Sequence, residues 1–177
     1  MKKQFGWLMT VLIMSFILSI GMSFLSEGLI PKINVYFGII IILIFIFISV
    51  IFDMIGVAIT AAEERPFHSM ASKRVKGSTH SVKLLKNSDK LASICNDVIG
   101  DICGILSGSA GVTVALTISK QYNINILVVT IVITSLIGAL TIGGKAMGKN
   151  VAINKANEIL YKFAEVLMIF DKKLDSK

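Results

Sequence analysis

The sequence predicts an all-α integral membrane protein with about four transmembrane helices. Composition is the first indication, because 54% of the 177 residues are hydrophobic and only two are prolines. A soluble domain of this size would have too little polar surface to cover so much apolar material. The apolar residues also form long runs separated by short polar segments, and the basic residues are concentrated in a few of those segments.

The positions of the charges predict the orientation of the chain. Lysine and arginine total 18 against 11 acidic residues, which gives a net charge of +7. Most of the basic residues flank the apolar runs: two at the amino end, seven from Lys145 to Lys177, and seven in the central segment, at Arg65, Lys73, Arg74, Lys76, Lys83, Lys86 and Lys90. This positive-inside bias predicts a multi-pass protein of the cell (plasma) membrane with cytoplasmic N- and C-termini, and no nucleic acid partner.

Residues 1–34 are predicted to form a first transmembrane helix and an external turn. The uncharged run from Gly6 to Leu25 follows two lysines and is long enough to span the hydrocarbon core. A cleaved signal peptide is the alternative, but the run is longer than most signal-peptide cores and no A-x-A site follows it. Pro31 discourages a continuous helix and indicates the turn.

Residues 35–150 are predicted to contain the other three spans, at about 35–62, 91–118 and 126–144. The polar, basic segment 65–90 between the second and third spans is compatible with helix, and we expect it to lie along the cytoplasmic membrane surface as a juxtamembrane helical loop. The fourth span is expected to end in the flexible sequence TIGGKAMGKN.

Residues 151–177 are predicted to form an amphipathic helix and tail. Polar residues alternate at helical spacing with an apolar stripe, whose members are Ile153, Ala156, Ile159, Leu160, Phe163, Leu167 and Phe170. We expect this helix to lie in the cytoplasmic membrane interface, with the apolar stripe against lipid.

Two features of the third span concern packing. Cys95 and Cys103 are eight residues apart in one helix, about 12 Å, which is too far for a disulfide, so we expect free, buried thiols. Gly100, Gly104 and Gly108 repeat every four residues and form a stripe that predicts the close approach of another helix.

Acidic residues inside the predicted spans are the candidate functional groups, since a charge in lipid is costly unless it is paired, hydrated or bound to an ion. Ser49 lies one helical turn before Asp53, and Asp97 lies one turn before Asp101. Each pair would offer oxygen ligands from one helix face, which suits a hard cation such as Mg²⁺. The alternative is a structural ion pair of Asp53 or Asp101 with Lys145.

Enzymatic catalysis is not expected. The sequence has no nucleophile and base at useful spacing, no metal-hydrolase motif and no glycine-rich phosphate loop, so no catalytic residue is assigned. Gly143 and Gly144 permit an irregular turn whose carbonyl groups would face an ion, although close helix packing explains these glycines equally well.

Three motifs resemble the transmembrane domain of the CNNM/CorC (also CorB) family of magnesium and cobalt transport proteins. Residues 48–62, ISVIFDMIGVAITAA, are similar to the family's ISAxFSGSExAxxxL segment. Residues 83–91, KLLKNSDKL, are similar to xLLxxPDRL, and residues 143–152, GGKAMGKNVA, are similar to GEILPKxxA. The resemblance lies in the order, separation and topology of the three motifs.

The resemblance implies a divalent-cation site built from two serines, an asparagine of an IGN motif and backbone carbonyl groups. By motif, Ser49 matches the first serine and Asp53 replaces the second. Asp101 takes the place of the asparagine, with Asn96 as the rival position, and Gly144 would contribute a carbonyl oxygen. The expected partners are the lipid bilayer, Mg²⁺ or a similar divalent ion, and a second copy of the chain in a homodimer packed through the glycine stripe.

Two departures from the family pattern favour a second hypothesis. Lys145 stands at the glutamate of the GE motif, and Gly56 stands at the acid of SGSE. A lysine near the site would repel Mg²⁺ or pair with an acid, so the alternative function is a non-transporting membrane subunit or regulator with a degenerate ion site. Family members commonly continue into nucleotide-binding domains, and this sequence ends at Lys177, so we expect no nucleotide binding.

Overall fold

A computed structural model describes residues 2–29 and 34–174 of the chain. All regular secondary structure in these ranges is helical. The α-helices are α1 (Lys2–Leu29), α2 (Val35–Ala61), α3 (Glu64–Ser72), α4 (Ser78–Lys86), α5 (Ser88–Ser93), α6 (Asp101–Tyr122), α7 (Ile126–Asn154) and α8 (Ala156–Leu174), and a π-helix covers Ile94–Gly100 between α5 and α6. The helical fold class is therefore confirmed.

Three helical stretches among the described residues are long and apolar enough to cross a membrane: Val35–Ala61, Ser88–Tyr122 and Ile126–Asn154. They agree with the second, third and fourth predicted spans. The apolar part of α1, Gly6–Gly21, is shorter, so the first span stays a prediction. The predicted turn at Pro31 lies outside the described residues.

The end of the fourth span differs from the prediction. The sequence TIGGKAMGKN is not a flexible connection, because α7 continues through it to Asn154. A glycine inside a helix costs about 1 kcal/mol relative to alanine, which packing along a long helix readily offsets. The polar segment between the last span and α8 is consequently only a break at Lys155.

The helices form two compact units, of which the first comprises Met1–Val50 and Val98–Lys145. Two apolar clusters form its core. One joins α2, α6 and α7 through Ile42, Ile46, Ala110, Val114 and Ile137. The other joins the start of the third span to α1 and α2 through Val98, Ile102, Leu106, Val11, Met14 and Phe45.

The second unit comprises Ile51–Asp97 and Ala146–Lys177 and has its own core. The core residues come from the end of α2, the short helices α3 and α4, the π-helix and α8: Ile59, Phe67, Leu84, Leu85, Cys95, Leu160 and Ala164. The predicted helical character of the basic central segment is confirmed. Apolar residues of α3 and α4 point into this core, and their basic residues are exposed.

Helix α8 is amphipathic, but the expectation that its apolar stripe lies against lipid is wrong for Leu160, a central member of the stripe. Leu160 and Ala164 are both fully buried within the protein. The stripe meets the core formed by α2, α3 and α4, which removes this apolar surface from both water and lipid. Val166 and Ile169 on the same helix remain exposed.

The predicted state of the cysteines is confirmed, since Cys95 and Cys103 are both buried free thiols. Two glycines of the stripe, Gly104 and Gly108, have no close packing partner within the described part of this one chain, so their packing against another helix stays a prediction. A Cβ atom built on Gly104 or Gly108 would have no neighbour within 4 Å among the described residues. The closely packed glycine of α6 is Gly111, where a Cβ atom would overlap the side chain of Ile137.

Replacing Leu160 by alanine should lower the free energy of unfolding by about 2–5 kcal/mol, because it leaves a cavity in the second unit's core. Ile169→Ala is the matched control on the exposed side of α8, and we expect a much smaller effect. Denaturant unfolding of the detergent-solubilised protein measures both. Equal losses for the two variants would contradict the burial of the α8 stripe in protein.

Candidate functional site

The π-helix Ile94–Gly100 is the irregular element of the third span. Such segments make i→i+5 hydrogen bonds, are uncommon and occur frequently at functional sites. The prediction that Asp97 and Asp101 share a face as in an α-helix therefore rests on a geometry that this stretch does not have.

In the second unit, Asn96 of the π-helix packs against Gly56 of α2. A Cβ atom at residue 56 would overlap the carboxamide oxygen of Asn96, so only glycine leaves room for that side chain. From the sequence, Gly56 was notable only as the position of a missing acid. The structure gives it a positive role, which is to accommodate the Asn96 carboxamide.

The Oδ1 atom of Asn96 is buried and, among the described residues, has no hydrogen-bond partner. Leaving a buried carbonyl-type oxygen without a donor costs about 1–3 kcal/mol. Native structures seldom retain such an atom without a reason, and an ion is one of the recognised reasons. An amide oxygen is also a ligand that Ca²⁺ and Mg²⁺ accept.

Asp53 lies three residues before Gly56 on α2 and is half-buried. Residues separated by three positions are neighbours on a helix face. By this spacing, Asp53 shares the face of α2 on which Gly56 meets Asn96. This face of the second unit combines a negative charge with an amide oxygen that accepts no hydrogen bond.

In the first unit, Ser49 is fully buried and donates a hydrogen bond from Oγ to the carbonyl oxygen of Gly100, at 2.6 Å. The bond joins α2 to the last residue of the π-helix. Since the hydroxyl proton is used here, the serine oxygen keeps its lone pairs as acceptors. The hydrogen bond explains why a serine is required in this apolar part of α2.

Also in the first unit, Lys145 Nζ lies 3.1 Å from Asp101 Oδ1. The structure thus contains the ion pair of Asp101 with Lys145 that the sequence left open. The side chain of Asp101 is 62% exposed and that of Lys145 is 23% exposed, so protein does not enclose the pair. The contribution of this ion pair to stability depends on whether water, lipid or another chain covers Asp101.

Gly144 lies inside α7, and the alternative of an irregular turn at Gly143 and Gly144 is wrong. A Cβ atom on Gly144 would lie 2.8 Å from Cγ2 of Val50, so the glycine permits close packing of α7 on α2 in the first unit. Within an α-helix, the carbonyl oxygen of a residue such as Gly144 accepts a hydrogen bond from the N–H group four residues further along the chain.

Asp97 is exposed and accepts a hydrogen bond from Ser93 Oγ at 2.8 Å.

The candidate residues from the sequence thus fall into two groups. Ser49, Asp101 and Gly144 belong to the first unit, and each has an identified protein contact there. Asp53 and Asn96 belong to the second unit, where Gly56 makes room for the asparagine. No group of three or more histidine, cysteine or acidic residues suited to a metal ion occurs in the part of the chain that the structure describes.

These features define a helical membrane protein with polar oxygen atoms in the second and third apolar helices. A family model described as the cyclin M (CNNM) transmembrane N-terminal domain matches residues 39–174, and the chain therefore belongs to the CNNM family, which is associated with divalent-cation transport in membranes. This confirms the resemblance based on motifs and extends it through α8. Searches of curated proteins and of solved structures find no match.

Replacing Ser49 by alanine should lower the free energy of unfolding by about 1 kcal/mol, because the Gly100 carbonyl loses a buried hydrogen bond. Ser107→Ala is the matched control, since Ser107 is also fully buried but its hydroxyl bonds to the Gly104 carbonyl within its own helix. Thermal unfolding in detergent compares them. If Ser107→Ala is destabilised as much as Ser49→Ala, the hydrogen bond between the helices adds nothing to the stability of the fold.

Proposed function

We propose that the chain binds a divalent cation, Mg²⁺ or an ion with similar ligand preferences, and moves it across the membrane. The observation that carries the proposal is the buried Oδ1 atom of Asn96, which has no hydrogen-bond partner among the described residues. Membership of the CNNM family supports divalent-cation transport as the general activity. In this function the ion is the transported substrate, and no side chain of the protein reacts chemically.

The chemistry of Asp53 and Asn96 favours a hard cation. Carboxylate and amide oxygens suit Mg²⁺, Ca²⁺ and Mn²⁺, whereas Zn²⁺ and Cu⁺ favour thiolate or imidazole ligands. Mg²⁺ keeps several of its own water molecules, so two protein oxygens are a sufficient protein contribution. A negative charge from Asp53 offsets part of the cost of placing the ion in an apolar helix bundle.

The proposal assigns the first unit a supporting role. The resemblance implied Ser49, Asp101 and Gly144 as further ion ligands. Ser49 instead donates its proton to a carbonyl group, Asp101 contacts a lysine, and Gly144 packs inside a regular helix. We place the ion-binding oxygens at Asn96, whose buried Oδ1 atom has no hydrogen-bond partner among the described residues, and at Asp53, whose carboxylate adds the negative charge that a cation needs.

We further propose that the protein works as a homodimer in the plasma membrane, with both termini in the cytoplasm. The open space beside Gly104 and Gly108 supports close approach by a helix of a second copy. The basic segments at both ends and in the centre of the chain support the orientation.

Calorimetry of Mg²⁺ binding to the detergent-solubilised protein tests the ion site. We expect saturable binding that is weakened at least about tenfold in Asn96→Ala and in Asp53→Asn, because each change removes a ligand oxygen or its charge. Gly56→Ala should weaken binding similarly without altering any ligand, since its Cβ atom displaces the Asn96 carboxamide.

Asn150→Ala is the matched control, because Asn150 is exposed on α7. It should bind Mg²⁺ as the native protein does. If Asn96→Ala and Gly56→Ala both retain native affinity, Asn96 is not a ligand and the proposed site is wrong. A separate flux assay in proteoliposomes then distinguishes binding from transport.

The contact between Asp101 and Lys145 favours a second candidate function, a non-transporting membrane subunit or regulator. In this case the charged residues hold the helices together and no ion is bound. The native protein would show no saturable Mg²⁺ binding, and Lys145→Glu would gain it by removing the positive charge.

Lys145→Met tests the structural role of the pair. It leaves Asp101 without this cation, and we expect destabilisation of less than about 1 kcal/mol if Asp101 faces water, or several kcal/mol if it faces hydrocarbon. Lys149→Met, at an exposed lysine of the same helix, is the control. If the ion binds at Asp53 and Asn96, Lys145→Met should leave Mg²⁺ affinity intact, and a loss of affinity would contradict that placement of the site. Thermal unfolding and calorimetry on the same samples give both values.

A further inference from the structure

The connection between α3 and α4, residues 73–77, is a structured turn with the sequence KRVKG, which we call the basic turn. Two of its residues have left-handed backbone conformations, Arg74 with φ of 55° and Gly77 with φ of 78°. The N–H group of Arg74 bonds to the carbonyl oxygen of Ala71, and that of Val75 bonds to Met70, both at 3.0 Å. These bonds fix the path of the backbone between the two helices.

Helix α8 holds the basic turn from the other side. The hydroxyl of Tyr161 donates a hydrogen bond to the carbonyl oxygen of Lys76, at 3.0 Å. A Cβ atom on Gly77 would lie 3.1 Å from Cγ of Glu165, so the turn packs closely on α8. Burial, together with the hydrogen bond and negative charge of Glu165, raises the pKa of Tyr161.

The side chains of the basic turn are exposed. Lys73, Arg74 and Lys76 all point to the surface, and between them Val75 is 37% exposed. The segment 65–90 that contains the turn has seven basic residues and one acid, Asp89. Glu165 is the acidic residue in contact with the turn itself, beside Gly77.

We propose that the basic turn binds the phosphate headgroups of anionic phospholipids. Three cationic side chains around an exposed valine combine electrostatic attraction to an anionic bilayer with a small apolar contact. The valine distinguishes this surface from one that binds only dissolved phosphate or nucleic acid. Because hydrogen bonds and α8 already fix the backbone, little conformational entropy is lost when lipid binds.

The test uses the purified full chain in detergent and measures the rise of the unfolding midpoint as phosphatidylglycerol or phosphatidylcholine is added. A ligand of the folded state raises this midpoint in proportion to its binding. We expect a saturable rise with phosphatidylglycerol and a much smaller one with phosphatidylcholine. Inorganic phosphate at equal concentration should give no comparable rise.

The triple variant Lys73→Gln, Arg74→Gln, Lys76→Gln should lose at least about tenfold in apparent affinity for phosphatidylglycerol, since each charge near an anionic surface contributes roughly fivefold. The matched control replaces three other exposed lysines of the second unit, Lys149, Lys155 and Lys162, by glutamine. It carries the same net charge as the test variant and should retain affinity within about twofold.

Tyr161→Phe provides a variant that changes no charge. It removes the bond to Lys76 and should weaken the phosphatidylglycerol response severalfold if the fixed shape of the turn contributes to binding.

Native affinity in the triple variant, or equal losses in the triple variant and its control, would overturn the proposal. An equal response to inorganic phosphate would also overturn it, because the ligand would then be free phosphate.

Discussion

The close contact between Gly56 and Asn96 is the constraint on which the account of the site depends. Helices in an apolar environment must satisfy their polar groups within the protein or with a ligand. Gly56 leaves space for a carboxamide, and the buried oxygen of that carboxamide has no hydrogen-bond partner among the described residues. An asparagine that served only to pack the helices would be replaced at lower cost by an apolar residue. Its position in a π-helix, with a buried oxygen that accepts no hydrogen bond among the described residues, is consistent with a ligand that the protein binds.

Helix α8 supports two features of the second unit, its apolar core and the basic turn. Leu160 and Ala164 complete the core from the side of α8, and Tyr161, between them on the same helix, bonds to the basic turn. The same helix therefore supports both the packing of α3 and α4 and the shape of the turn. The apolar stripe that would otherwise favour the membrane interface is used for protein packing.

The sequence predicted the membrane class, the three long apolar spans and the family, because these follow from long apolar runs and motif order. It predicted the periodicity of α8 but not which surface covers Leu160, since a 3.6-residue period is the same against lipid and against protein. The role of Gly56 was also inaccessible, because a missing side chain shows its purpose only through its neighbour, Asn96. The π-helix at Ile94–Gly100 altered the spacing from which Asp97 and Asp101 were assigned to one face.

The most direct measurement is a crystal structure of the full chain with Mn²⁺, which shares the oxygen ligands of Mg²⁺ and is located by its anomalous scattering. We predict an anomalous peak about 2.0–2.3 Å from Oδ1 of Asn96, the distance range of a direct bond to an ion of this size. A protein or water donor in hydrogen-bond contact with that oxygen, with no peak beside it, would contradict the proposal that Asn96 binds the ion.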